Sequence, residues 1–346
     1  MLTAGSKAQN AQRTGGRGIA SVSLGDPELE ATITAGMQAC EERIDGELGR
    51  GEDFLTEHVT HLAAAGGKRF RPMLAVLAAQ FGTHPDSPDV ITAATVVELT
   101  HLATLYHDDV MDEADMRRGV PSANARWNNS VAILAGDLLF SSASHLLAEL
   151  GTDAVAHFAE TFRILVTGQM RESLGCPEGG DQVEHYLKVI EEKTGVLIAT
   201  AGHLGAKHAG ADEATVRALS DYGHNVGMVF QIVDDIIDIS SKEDESGKIP
   251  GTDLREGVFT LPVLYAMRED TAVGARLREI LTGPVTDDGL VDEALGLLSK
   301  SNGAERALAD VRKYSERAEA AIADLPDIPA KSALRRVLDY TADRVG

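Results

Sequence analysis

Apolar residues return along this chain at intervals of three, four and seven, the period of one helix face, from about Asp26 almost to the C-terminus. Leu29, Ile33, Met37 and Ile44 mark a first helix, with Pro27 suited to its first turn. A second runs from Phe54 to Ala65 and stops at Gly66-Gly67, a C-cap signal. An Ala/Leu/Val-rich helix follows to about Phe81, closed by Gly82 and the Pro85/Pro88 turn. Asp89 to Met111 form a long helix that buries Val96, Val97, Leu99, Leu102, Ala103 and Leu105. Helices recur over Ala132 to Leu150, Ala154 to Leu174 and Glu184 to Ala201, the last opened by Asp181-x-x-Glu184, a capping box with Asp in place of Ser or Thr. A further helix, Thr215 to Ile239, precedes a polar loop from Ser240 to Thr252, and helices resume from about Leu261. Alternating apolar and polar runs are nearly absent, so no strands are expected. The pattern predicts one all-α domain over residues 26–346, after a disordered segment, residues 1–25, rich in Gly, Ser, Gln and Thr.

Polar residues interrupt this pattern in two places with the same spacing. Asp108-Asp109-x-x-Asp112 ends one apolar helix and Asp234-Asp235-x-x-Asp238 ends another. Residues four apart stack on one helix face, so each cluster presents its carboxylates together. At a helix C-terminus the macrodipole disfavours an anion by about 0.3–1 kcal/mol, and the like charges repel as well. A lone Asp-Asp-x-x-Asp is ordinarily a solvated acidic helix end. Here Val229, Phe230, Ile232, Val233, Ile236 and Ile237 surround the second copy, which places its carboxylates in an apolar helix. Oxygen ligands without His or Cys select hard cations, and Mg²⁺ takes one or two carboxylates while water and phosphate oxygens complete its shell. Two facing clusters would therefore clamp a polyphosphate through metal ions.

The charge balance sharpens that reading. Lys+Arg number 32 against 54 Asp+Glu, a formal net charge of -22, which argues against nucleic acid or an anionic membrane as a partner reached by bulk electrostatics. A phosphate-bearing substrate then needs cations placed locally. Candidates are Lys68, Arg69 and Arg71 after Gly66-Gly67, Arg117-Arg118 directly after the first cluster, and His101, seven residues before Asp108 and on its face. Gln231 shares a face with the second cluster. Taken singly, these residues would read as a solvated basic turn, ion-paired arginines and a satisfied core histidine. Cys40 and Cys176 form no Cys-x-x-Cys pattern, so neither a disulfide framework nor a thiolate zinc site is expected, and a reducing cytoplasm fits. The N-terminus has no apolar signal region, and no apolar run reaches the roughly 18 residues of a membrane span.

Five islands, in order, carry a resemblance to the trans (E-type) polyprenyl diphosphate synthases. They are Gly66-Gly67-Lys68-Arg69-Phe70-Arg71-Pro72; His107-Asp108-Asp109-x-x-Asp112 with Arg117-Arg118-Gly119; Lys193-Thr194; Phe230-Gln231-x-x-Asp234-Asp235-x-x-Asp238; and Gly247-Lys248-x-x-Gly251-x-Asp253. The resemblance implies a helical bundle of isoprenoid synthase type around a central cavity, working as a homodimer. It implies condensation of isopentenyl diphosphate with an allylic diphosphate: the allylic C–O bond ionises, the isopentenyl double bond attacks the cation, and the departing diphosphate takes up the proton. Asp108, Asp109, Asp112, Asp234, Asp235 and Asp238 would serve three Mg²⁺ ions. Arg117, Lys193, Thr194, Gln231 and Lys248 would contact the allylic diphosphate, and Lys68, Arg71, His101 and Arg118 the isopentenyl diphosphate. Small residues at Ala103 and Thr104, where short-chain members carry aromatic rings, imply a medium-to-long product, about C20 to C45.

The chain departs from the family pattern at Val258, where a lysine is usual; Arg255 and Lys248 are the candidates to share its load. Two other readings use the same features. A class I terpene cyclase would not need Lys68, Arg71, His101 and Arg118, and a non-catalytic subunit of a heteromeric synthase commonly has one degraded aspartate cluster, whereas both are whole here.

Overall fold

The computed structural model describes residues 22–50, 52–240 and 250–345, most of them helical, as the period predicts. In chain order the first ten helices are α1 (Pro27–Leu48), α2 (Asp53–Ala64), α3 (Phe70–Ala79), α4 (Pro88–Met111), the short α5 (Ala123–Arg126), α6 (Asn129–Leu150), α7 (Thr152–Leu174), α8 (Gln182–Ile190), α9 (Val196–His208) and α10 (Glu213–Ser240). Six more follow between Thr252 and Ala342. Side-chain oxygens cap the expected starts: Asp26 accepts from Leu29 N–H, Asn128 from Val131 N–H, and Asp181 from Val183 and Glu184 N–H.

The two helices that bear the aspartate clusters form the centre. Helix α4 packs against α3, α6 and α9, and α10 against α9 and the helix Gly303–Ala321. Leu99, Leu102 and Ala103 of α4 and Val226, Val229, Ile232 and Val233 of α10 are fully buried in one apolar core. A smaller apolar cluster, including Leu254, Val263 and Leu277, joins the helices after α10, and Phe259 packs against both cores. Glycines let the central helices meet backbone to backbone. A Cβ on Gly205 of α9 would overlap the Ala75 carbonyl of α3, and one on Gly227 of α10 would lie 2.9 Å from Gly195 Cα.

Four features differ from the expectation. Met116–Arg117 and Val120–Pro121 pair as a minimal antiparallel hairpin, too short for an alternating pattern to register. The helix expected over Glu184 to Ala201 is broken by a π turn, Glu191–Gly195, because one extra residue is accommodated where Gly168, Gly195 and Gly227 allow close packing. Within the N-terminal segment expected to be disordered, residues 1–21 lie outside the described residues, but Leu24 is buried in the core and Ser23 Oγ and Leu24 N–H both donate to Glu30. Helix α6, with 22 residues, is long and apolar enough to cross a membrane, although no such run was expected. Its buried side lies along α4; Ile133, Leu134 and Leu138 remain exposed.

The α9–α3 contact yields a stability prediction. Gly205→Ala forces a methyl into the Ala75 carbonyl, an overpacking that costs about 1–3 kcal/mol. Chemical denaturation should show that loss; a variant as stable as wild type would contradict the packing.

Candidate active site

The first cluster sits where α4 runs out. Asp108 and Asp109 occupy its last turn, and Asp112 is the C-cap residue, exposed, its N–H bonded to Asp108 O. Burial pushes the Asp108 carboxyl up to about 6, with Lys193 and Arg117 pulling the other way and Asp112 and Glu172 adding to the rise. Asp109 is completely buried, which raises it too, and its Oδ1 takes Arg117 Nε at 2.5 Å. The other oxygen, Oδ2, is buried without a partner. Arg117 thus meets the cluster first, held there by the hairpin.

On α10, each of the three aspartates of the second cluster meets different partners. Asp234 Oδ1 is 2.7 Å from Arg344 at the C-terminus. Asp235, 2% exposed, accepts from Tyr186 Oη at 2.6 Å and from Gln231 Nε2 at 3.1 Å; burial pushes it up to about 7, and these donors oppose the rise. Asp238 receives Gly251 N–H on its carbonyl at 2.9 Å and Asp253 N–H on its carboxylate at 3.3 Å, which brings the last sequence island to the cluster. Lys248 lies outside the described residues. Arg255, a candidate to share the load of the lysine missing at Val258, is paired with the exposed Asp288 at 2.6 Å.

The π turn joins the two clusters. Lys193 lines one cavity with Asp108 and is ion-paired with Glu172, while the adjacent Thr194 donates to Gln231 Oε1 at 3.2 Å. Glu192 of the same turn is anchored by Arg171 at 2.9 Å. A π insertion in an α-helix is a common mark of a functional position.

A second set of cations gathers beside α10. Lys68 Nζ and the Arg344 guanidinium lie 5.2 and 5.5 Å from the Phe230 ring, which stacks on Phe70 at 6.1 Å. Arg118, in left-handed backbone geometry, donates to the Leu62 carbonyl at 2.9 Å and also to Gly66 O, which folds the Gly66-Gly67 loop around it. Burial, with Arg118 nearby, brings Arg71 down to about 10, and Arg71 Nε has no partner. Burial and then the charges of Arg71, Arg118, Arg69 and Arg117 hold His101 well below its ordinary range, hence neutral. Arg71, His101 and Arg118 therefore lie within electrostatic reach of one another in one basic recess, while Lys68 sits over the Phe230 ring. Arg69 does not serve it: this side chain bonds Glu98 at 2.7 Å and Glu41, and these acids hold it charged despite burial.

Two groups were not foreseen. Arg344 gave no local signal, being one arginine near the end of the chain. Tyr186 lies in an ordinary amphipathic stretch, and only tertiary contact ties it to Asp235.

A cavity of about 100 Å³ runs from Asp108, Gln169 and Lys193 along Thr104 and Leu165 to Phe140 and Phe162. The two rings meet edge to face with centroids 4.5 Å apart. Of the two positions expected to form the chain-length wall, Thr104 lines this cavity; Ala103 is fully buried and outside its lining.

The carboxylates fit hard divalent cations. Asp109 leaves a buried oxygen unpartnered, and the remaining donors of both clusters are oxygens. Among the described residues no three such groups converge as a closed cage.

Comparison with known proteins agrees with this frame. The polyprenyl synthetase family matches residues 52–298. A nonaprenyl diphosphate synthase of Mycobacterium tuberculosis is 53% identical over 334 residues, covering 96% of this chain and 100% of the relative. A dimethylallyltranstransferase of the same organism is 45% identical, covering 93% and 98%. Among solved structures, geranylgeranyl pyrophosphate synthase from Corynebacterium glutamicum, complexed with calcium and isoprenyl diphosphate, is 61% identical with a TM-score of 0.86, covering 94% of this chain and 100% of that one. The bundle is of the isoprenoid synthase type. The chain belongs to the polyprenyl synthetase family and is a prenyltransferase.

The raised Asp108 gives a pH prediction. A carboxyl whose folded pKa, about 6, exceeds its ordinary 3.8 contributes stability below the ordinary value and loses it as pH rises through 6. In metal-free protein at pH 8, Asp108→Asn should therefore raise the unfolding free energy by about 1–3 kcal/mol. The gap should close toward pH 4. A gap that is absent at pH 8, or equal at both values, would contradict it.

Proposed function

We propose that this prenyltransferase condenses isopentenyl diphosphate with an allylic diphosphate in a magnesium-dependent reaction at the joint of α4, α10 and the π turn. The observation that carries this reading is the pairing of two aspartate clusters with two distinct cation sets. A terpene cyclase has no use for the second set. A non-catalytic subunit has no use for two intact clusters.

Asp108, Asp112 and Asp234 would hold three ions in all, with Asp109, Asp235 and Asp238 close by. Bound magnesium would neutralise the charge that grows on the departing diphosphate. Arg117, Lys193, Thr194, Gln231 and Lys248 would grip the allylic diphosphate and orient its C–O bond. Lys68, Arg71, His101 and Arg118 would bind isopentenyl diphosphate, with neutral His101 as a hydrogen-bond partner among the cations. The carbon chain would enter the apolar cavity below Asp108, which keeps water from the allylic cation.

Product length follows from where that cavity closes. The similar proteins span geranylgeranyl and nonaprenyl synthases. Phe162 stands seven residues, about 10 Å, along α7 from Gln169, and with Phe140 it supplies aromatic bulk there. This favours the short end of the C20 to C45 span. The exposed apolar face of α6, Ile133, Leu134 and Leu138, supports a homodimer, and the acidic surface and sparse cysteines support a cytoplasmic protein.

Incubation with Mg²⁺, labelled isopentenyl diphosphate and each of the C5 to C20 allylic primers should give a labelled polyprenyl diphosphate with at least one primer. No incorporation with any of them would refute the reading. Asp108→Ala and Asp234→Ala should each lower turnover at least about 100-fold with the helical fold retained. Phe162→Ala should lengthen the product by at least one isoprene unit, as read by chromatography; an unchanged product would remove the aromatic pair as the length limit.

A further inference from the structure

Tyr186 belongs to none of the motifs, yet its hydroxyl begins a chain of hydrogen bonds that ends among the proposed diphosphate contacts. It donates to Asp235 Oδ2 at 2.6 Å across the gap between α8 and α10. The other oxygen, Oδ1, accepts Gln231 Nε2 at 3.1 Å, from one turn earlier on α10. Gln231 Oε1 in turn accepts the Thr194 hydroxyl at 3.2 Å.

Asp235 therefore differs from its neighbours in kind. Its two oxygens are engaged by donors from two separate helices, α8 and α10, and it is 2% exposed. Asp234 meets only a displaceable arginine from the chain terminus, and Asp108 opens into the cavity. In its ionised form this carboxyl only accepts, which matches the way the Gln231 amide faces: the nitrogen turns to Asp235 and the oxygen to Thr194. One amide hydrogen of Gln231 is left over to donate outward. The Thr194 oxygen keeps its lone pairs, and its proton is spent on Gln231.

We propose that Asp235 is not a metal ligand but the fastening point of the relay Tyr186–Asp235–Gln231–Thr194, and that Tyr186 is a positioning residue which sets Gln231 and Thr194 for the allylic diphosphate. This rests on the reading that those two residues meet that diphosphate. The relay crosses the π turn, so Tyr186 ties the alignment of Thr194 to that of α10.

The test is steady-state kinetics of the full-length enzyme with both substrates and with Mg²⁺ varied, for Tyr186→Phe, Thr194→Val, Asp235→Asn and Asp234→Asn. Tyr186→Phe should raise KM for the allylic diphosphate about 3–10-fold, the scale of one lost hydrogen bond, and leave KM for isopentenyl diphosphate within about twofold. Thr194→Val cuts the far end of the relay without touching α8 and should show the same split, which keeps the test valid if Tyr186→Phe fails to fold. Asp235→Asn can still accept from Tyr186, and a flipped Gln231 amide can meet it, so its half-saturating Mg²⁺ should stay within about twofold of wild type. Asp234→Asn should raise that value at least about tenfold. An Asp235→Asn enzyme whose magnesium requirement rises as far as that of Asp234→Asn would overturn the proposal. So would equal changes in both KM values, or none, in Tyr186→Phe and Thr194→Val. A wild-type enzyme inactive with every primer would instead refute the functional reading on which the relay rests.

Discussion

Carboxylates buried at the C-terminal ends of two helices set the terms for everything around them. Burial favours their neutral form, and the helix dipoles and mutual repulsion push the same way. The protein answers with partners of different strength. Arg117 and Arg344 form ion pairs that a competing cation can replace, whereas Tyr186 and Gln231 hold Asp235 with neutral donors. What is left over, the unpartnered Asp109 oxygen and the raised Asp108, is electrostatic demand that a divalent ion and its phosphate can meet together. The basic recess states the converse demand: Arg71 and Arg118 are depressed by burial, and an anion would relieve them.

Bringing these opposing groups within reach of one another is a packing problem. Glycines at 168, 195, 205 and 227 let α7, α9 and α10 approach without side chains between them, and the π turn inserts the residue that lets Lys193 face Asp108 while Thr194 faces Gln231. The hairpin after α4 returns Arg117 to Asp109 and Arg118 to the Gly66-Gly67 loop. Fold and site are thus determined by the same few close contacts.

The parts legible in the sequence were those with local grammar. Helices, their caps and the repeated Asp-Asp-x-x-Asp spacing follow from period and side-chain chemistry within a few turns, and the family resemblance placed the cations of the recess. What escaped has no local grammar. Tyr186 finds Asp235 across 49 residues, and Arg344 finds Asp234 from the far end of the chain. Arg69 looks like its neighbours Lys68 and Arg71 until Glu41 and Glu98 claim it. The family resemblance put Ala103 on the cavity wall together with Thr104; helical rotation between adjacent residues turns Ala103 into the core. The apolar length of α6 was underread because Ser and Asp residues punctuate a helix whose average is still strongly apolar.

The central claim is that both clusters hold metal only in company with a diphosphate. Paramagnetic resonance of Mn²⁺ as a magnesium substitute, with and without an unreactive allylic thiodiphosphate, tests it most directly. The account predicts little binding to the protein alone, uptake of several ions per chain when the analogue is present, and loss of that uptake in Asp108→Asn and in Asp234→Asn. Full uptake without the analogue, or uptake that survives both substitutions, would contradict it.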